Sequence, residues 1–142
     1  MTLSPAHRRV LDAALALVRD QRQRAEAAGA PFRPALVWTG PVGLGYLLGA
    51  VDGLCQAHGA AFDAAGLAVF GLVLDDTFGP DAADGLRRQA VAWVQAGDAD
   101  LGRGRAWGGN EALGAARGLH TPVGLVHLTR GDADRMGPPR EA

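Results

Sequence analysis

The sequence predicts an all-α fold, a single-domain bundle of about five helices, and three observations carry that prediction. Apolar residues recur at helical spacing along most of the chain, and strict alternation is absent. Helix-opening prolines and helix-stopping glycines punctuate it. Two Gly-rich segments, 40–59 and 102–118, repeat one small-residue design, which predicts two quasi-equivalent central helices.

The first helix is expected to open at Ser4 and Pro5, because a serine hydroxyl caps free amides and proline suits a first turn. It should run to about Ala28, where Gly29 stops it. Leu3, Val10, Leu11, Ala14, Leu15, Leu17 and Val18 form its apolar face, with Arg8, Asp12, Arg19 and Arg22 opposite. The prolines of residues 31–34, PFRP, exclude helix and make that stretch an extended linker. Residues 41–58 wind next. Leu44, Leu47, Leu48, Val51, Leu54 and Cys55 share one broad face of that helix, while Gly45, Gly49 and Gly53 recur on the other beside Asp52 and Gln56. Each glycine costs about 1 kcal/mol relative to alanine inside a helix, so three at this spacing predict a neighbour lying close against the backbone.

Residues 67–74 suit either a buried strand or a helix, and the absence of alternation favours helix. Gly79 and Pro80 then open a helix with Asp81 and Asp84 near its start, Leu86, Ala90, Trp93 and Val94 on one face, and Gly97 as its stop. A fifth helix is expected from about Leu101 to Arg117. Leu119 to Thr129 is apolar enough to pack as a strap or short strand; the helical domain is bounded at residues 1–130, and residues 131–142 read as a flexible tail.

At an offset of 59, Gly43, Gly45, Gly49 and Leu54 fall on Gly102, Gly104, Gly108 and Leu113, Asp52 falls on Glu111, and Tyr46 falls on Arg105. If the two glycine faces pack together, Asp52 and Glu111 meet in a poorly hydrated place, with Tyr46 and Arg105 near enough to supply a hydroxyl and a counter-charge. The plainer expectation is that each acid binds free amides or an arginine and fixes the packing. Leu48 becomes Trp107 and Val51 becomes Asn110, so the second segment is the more polar. The string Trp107, Gly108, Gly109, Asn110, Glu111 is the best candidate for a recognition edge, because two glycines leave an indole and an amide open to an incoming chain. A Trp in register with Leu48 equally suits a core.

Composition narrows the function classes. With 142 residues, 48% hydrophobic and 20% charged, the chain is large enough for a real core and wrong for a disordered segment. All 14 basic residues are arginine; residues 1–34 hold six of them against three acids, and residues 35–100 hold two against eight aspartates. That distribution argues against a nucleic-acid binder. Cys55 is alone, so it forms no internal disulfide, and the N-terminus lacks an apolar signal core, which makes a cytoplasmic location the default expectation. Leu36 to Cys55 spans 20 residues with one charge, but Pro41, the glycines and the off-centre Asp52 argue against a membrane span. His7, His58, His120 and His127 show no metal-ligand spacing, and the GDAD motifs at 97–100 and 131–134 lack the remaining ligands of a calcium loop, so no metal site and no cofactor are expected.

One stretch supports a different reading. A short apolar run, then TGPVGLG, then a helix ending in AHGA looks like the first strand, turn and helix of a nucleotide-binding fold. It resembles the GxGPVG turn of the medium-chain alcohol dehydrogenases, with Gly40, Pro41, Val42 and Gly43 in place. The resemblance implies an α/β fold with a short βαβ unit, and a nucleotide or small metabolite bound by backbone amides at the turn Gly40 to Gly45. Trp38 stands where that pattern has its first glycine, and the acids Asp75 and Asp76 follow Gly40 by about 35 residues where about 20 are usual. The expectation carried forward is a small non-enzymatic accessory or adaptor module that binds another protein through Trp107, Gly108, Gly109, Asn110, Glu111, Asp52, Tyr46 and Arg105. Homo-oligomerisation is compatible with it, and the alternative is an enzyme or sensor using the Gly40 turn.

Overall fold

The computed structural model describes residues 2–27, 29 and 38–131. The expected tail beyond Gly131, the PFRP linker and most of the apolar run preceding Trp38 lie outside the described residues. Those residues contain six α-helices and no strand: α1 (Pro5–Ala27), α2 (Pro41–His58), α3 (Ala64–Phe78), α4 (Pro80–Gln95), α5 (Ala99–Ala116) and α6 (Gly124–Arg130). Residues 67–74 lie within α3, which settles the choice between strand and helix there. No described helix is long and apolar enough to cross a membrane.

Local chemistry explains most of the boundaries. The Ser4 hydroxyl accepts the His7 amide at 3.1 Å and so caps α1. The His7 ring then bridges Ser4 Oγ (2.6 Å) and the Ala61 carbonyl (2.9 Å), fixing the start of α1 to the loop before α3. Arg19 pairs with Asp76 at 2.6 Å toward the far end of α3, so α1 and α3 run alongside each other in one direction. Pro41 opens α2, and Gly59, at φ +66°, ends it in a conformation that glycine adopts without strain. Asp63 caps α3, its Oδ1 accepting the Ala65 and Gly66 amides at 2.9 and 3.3 Å, and Asp98 caps α5 through Leu101 N.

The core gathers around α2. Leu44, Tyr46, Leu47, Val51, Phe70, Leu74, Leu125 and Trp38 are all but inaccessible. The apolar face expected for residues 41–58 is buried throughout, and so are Gly45, Gly49 and Gly53 on the opposite face. α5 lies against that glycine face. A Cβ placed on Gly53 would sit 2.5 Å from the Gly109 carbonyl oxygen, and Cβ atoms on Gly45 and Gly49 would collide with backbone at Leu101 and Arg105. From the other side, Cβ atoms on Gly104 and Gly108 would collide with the carbonyls of Val42 and Tyr46. Residue numbers rise together across these pairs, so the two helices are parallel and in backbone contact.

The expected five helices become six because Leu119 to Thr129, read as a strap or short strand, closes in the seven-residue α6. So short a helix does not hold itself in water; acceptors from α1 and α5 take its first amides, a source of stability outside any local sequence window.

Capping makes the stability pH-dependent in a definite direction. The Gly66 amide, then the Ala65 amide, hold the Asp63 carboxyl below its ordinary value of 3.8. A group with a lowered folded value contributes stability that is fully present above its unfolded value and disappears as pH falls through the folded one. Thermal melts of Asp63→Ala against wild type should therefore differ at pH 6, and the difference should shrink as pH falls below 3.8. A difference independent of pH would show that the carboxylate charge is not what caps α3.

Candidate functional site

Winding a helix at 100° per residue places Tyr46 and Asp52 about 60° to either side of Gly49, and Arg105 and Glu111 about 60° to either side of Gly108. Packing the two glycine faces together in parallel therefore brings Tyr46 beside Glu111 on one flank and Asp52 beside Arg105 on the other. Both pairs form. The Tyr46 hydroxyl donates to Glu111 Oε1 at 2.5 Å, and Arg105 donates to Asp52 Oδ2 at 3.3 Å. The two carboxylates share no hydrogen-bond partner, so the carboxylate pair considered from the sequence is not assembled; each acid instead takes the cross-helix partner on its own flank.

The first flank is sealed. Tyr46 is fully buried; its hydroxyl also accepts from Gln21 Nε2 at 3.0 Å, and Gln21 Oε1 accepts the Leu125 amide at 2.8 Å. Glu111 Oε1 accepts the amides of Val123 and Gly124 at 3.1 and 2.8 Å. A carboxylate and an amide oxygen thus occupy the amino-terminal end of α6, where free N–H groups and the helix dipole favour negative charge. Burial, and then the Glu111 charge, raise the Tyr46 hydroxyl well above its usual value, so it stays a neutral donor. Trp107, 8% exposed, packs edge-on to Tyr46 with ring centroids 5.7 Å apart, and a Cβ on Gly124 would meet both rings. Trp107 is therefore core, in keeping with its register with Leu48, and the expectation of an exposed aromatic anchor is corrected: α6 covers the edge that Gly108 was to leave open. Gly108 itself is consumed in the contact with Tyr46.

The second flank is open. Asp52 and Arg105 keep 28% and 34% of their side-chain surface exposed, and the Arg105 guanidinium lies 5.6 Å from the centroid of the Phe62 ring. A groove of about 350 Å³ runs beside them, bordered by Gln56 on α2 and by Gly102, Ala106, Gly109 and Asn110 on α5. Of the residues singled out in the sequence, Asp52, Arg105, Gly109 and Asn110 come together here; Tyr46, Trp107, Gly108 and Glu111 come together on the sealed side. Cys55 is buried, and burial, then the Asp52 and Asp63 charges, push its thiol up to about 11, which keeps it protonated and unreactive at neutral pH.

Comparison with protein-family models, with curated proteins and with solved structures finds no match to this chain. The site must be read from its own chemistry. Among the described residues, no group of three or more His, Cys, Asp or Glu side chains is placed to hold a metal ion. The turn likened to a nucleotide-binding loop is committed to packing: a Cβ on Gly43 would sit 2.5 Å from the Trp38 carbonyl oxygen, Gly45 abuts Leu101, and Trp38 donates from its ring to Thr129 Oγ1 at 3.0 Å.

Gln21 escaped the sequence reading, although a signal for it existed. It follows Val10, Ala14, Leu17 and Val18 on the apolar stripe of α1, and a polar side chain in such a stripe needs a buried partner. The two flanks should differ sharply under mutation. Tyr46→Phe takes the hydroxyl donor from Glu111 and leaves the buried Gln21 Nε2 without its acceptor, and is expected to cost about 1–3 kcal/mol in urea unfolding, whereas Asp52→Ala, removing a half-exposed ion pair, should change stability by about 1 kcal/mol or less. Equal losses would mean that the buried network does not hold α6.

Proposed function

We propose that this chain is a non-enzymatic protein-binding module whose recognition surface is the groove beside Asp52 and Arg105, and that α2 and α5 are quasi-equivalent helices of which α5 is the less covered. The observation that carries this reading is an asymmetry. At the matching offset, α2 places Gly43, Leu47 and Val51 in the core, while α5 leaves Gly102, Ala106 and Asn110 exposed to solvent. The reciprocal contacts support quasi-equivalence: Gly45 meets Leu101 as Gly104 meets Val42, and Gly49 meets Arg105 as Gly108 meets Tyr46.

A helix or extended segment of a partner lying along α5 would find small residues that permit close approach, an amide at Asn110 and an ion pair at the rim. Such pairs favour register and partner choice more than raw affinity. Among the described residues this surface carries one carboxylate, Asp52, already paired with Arg105, and no Ser, Cys or His side chain, which is why binding rather than catalysis is the function proposed. A cytoplasmic setting fits a lone, buried, reduced cysteine.

Ala106→Trp tests the reading, because Ala106 is exposed and an indole there fills the groove without entering the core. The variant should keep the wild-type circular-dichroism spectrum and melting temperature while losing the protein that wild type captures from its native organism. Retained capture by a folded Ala106→Trp variant would place the recognition surface elsewhere.

A further inference from the structure

Away from that groove, a hydroxyl and an imidazole meet where α1 begins, in an arrangement that capping alone does not require. Ser4 is the single serine of the chain, and it is exposed. His7 is buried, with 8% of its surface accessible. The partners of the ring decide where its proton sits. The Ala61 carbonyl oxygen, 2.9 Å from His7 Nε2, can only accept, so Nε2 carries the hydrogen. In the neutral imidazole Nδ1 is then an acceptor, and Ser4 Oγ, 2.6 Å away, is its donor. A serine that only caps a helix needs its oxygen alone. This one accepts the His7 amide at 3.1 Å and also aims its proton at a base.

Asp63 completes the group, with Oδ1 3.8 Å from Nε2. A nucleophile within hydrogen-bond reach of a base, the base being oriented by a third group, is the constellation that activates a hydroxyl. We propose that Ser4 is a nucleophile activated by His7, and that it is the site at which this chain takes an acyl group from an activated ester or thioester. Oγ bonds to the acyl carbon as its proton passes to Nδ1. The bond from that carbon to the donor's oxygen or sulfur breaks, and the departing alkoxide or thiolate recovers the proton from the ring. Between the two transfers the ring is positively charged, and Nε2 then faces a carbonyl and a carboxylate, both negative partners. A hydroxyl, a base and a donor that brings its own leaving group complete the balance. The product is an ester on Ser4, a modification of this chain and not turnover, so it stands independently of the groove on α5.

Acetylation of the full chain by p-nitrophenyl acetate tests the proposal. The chain has one serine and no lysine, so few side chains compete, and hydroxylamine removes an acetyl ester while leaving an acetylated amine intact. Wild type should release nitrophenolate in a burst and gain a hydroxylamine-labile acetyl group that fragmentation mass spectrometry maps to Ser4. His7→Gln keeps a donor for the Ala61 carbonyl and removes the base, and should acetylate Ser4 at least about a hundredfold more slowly. Wild type unfolded in urea, where the ring is no longer held against Ser4, makes the same comparison without a substitution and should be slowed as much. A wild type whose Ser4 stays unmodified, a labile acetyl group on another residue instead, or a folded chain that reacts no faster than the unfolded one would each overturn the proposal.

Discussion

Backbone contact between α2 and α5 is the constraint from which the rest of the structure follows. Helices ordinarily pack about 8–10 Å apart because side chains separate them. Here Gly45, Gly49, Gly53, Gly104 and Gly108 remove the side chains along the seam, and carbonyl groups stand where Cβ atoms would be. The helix-propensity cost of these glycines, about 1 kcal/mol each, is offset only if the close approach is made and its contacts are dense. That requirement fixes the register of the pair, and because the two helices run parallel they need a long connection; α3 and α4 form it, and their apolar faces close the core over α2.

Close approach also decides what happens to polar groups at the edges of the seam. A side chain 60° off the glycine line cannot point away from the partner helix, so Tyr46, Asp52, Arg105 and Glu111 are each directed at a residue across the seam. On the flank covered by α1 and α6, desolvation requires complete satisfaction, and the chain Leu125–Gln21–Tyr46–Glu111–Gly124 supplies it without an orphaned atom among the described residues. On the other flank water remains available, and a single 3.3 Å ion pair suffices. Two pairs related by one sequence offset thus serve different ends: one anchors a helix, and the other borders a surface open to a partner.

Much of this was legible in the sequence, for identifiable reasons. The bounds of α2 follow from Pro41 and Gly59, and the close contact follows from glycines whose only benefit is the absence of a side chain. The pairing of Tyr46 with Glu111 and of Arg105 with Asp52 was latent in the offset of 59, but deciding between paired acids and separate cross-helix pairs required knowing that the helices are parallel. Trp107 illustrates the limit. Its neighbours Gly108 and Gly109 look like an opening from the sequence, yet Gly108 is spent on Tyr46, and α6, whose first amides are held by Glu111 and Gln21, covers the ring. Long-range acceptors of this kind leave no periodic trace; a glutamine on an apolar stripe is the faint one they did leave.

The central claim is that the seam glycines are required by contact and not by chain flexibility, and the sign of a stability change tests it. Gly49 and Gly102 both lie inside helices, but a Cβ on Gly49 would strike the Arg105 backbone, whereas a Cβ on Gly102 would meet nothing within 4 Å. In urea unfolding, Gly102→Ala should stabilise the protein by about 0.5–1 kcal/mol through helix propensity, and Gly49→Ala should destabilise it by about 1–3 kcal/mol because the seam is forced apart. Stabilisation by both substitutions would contradict the account.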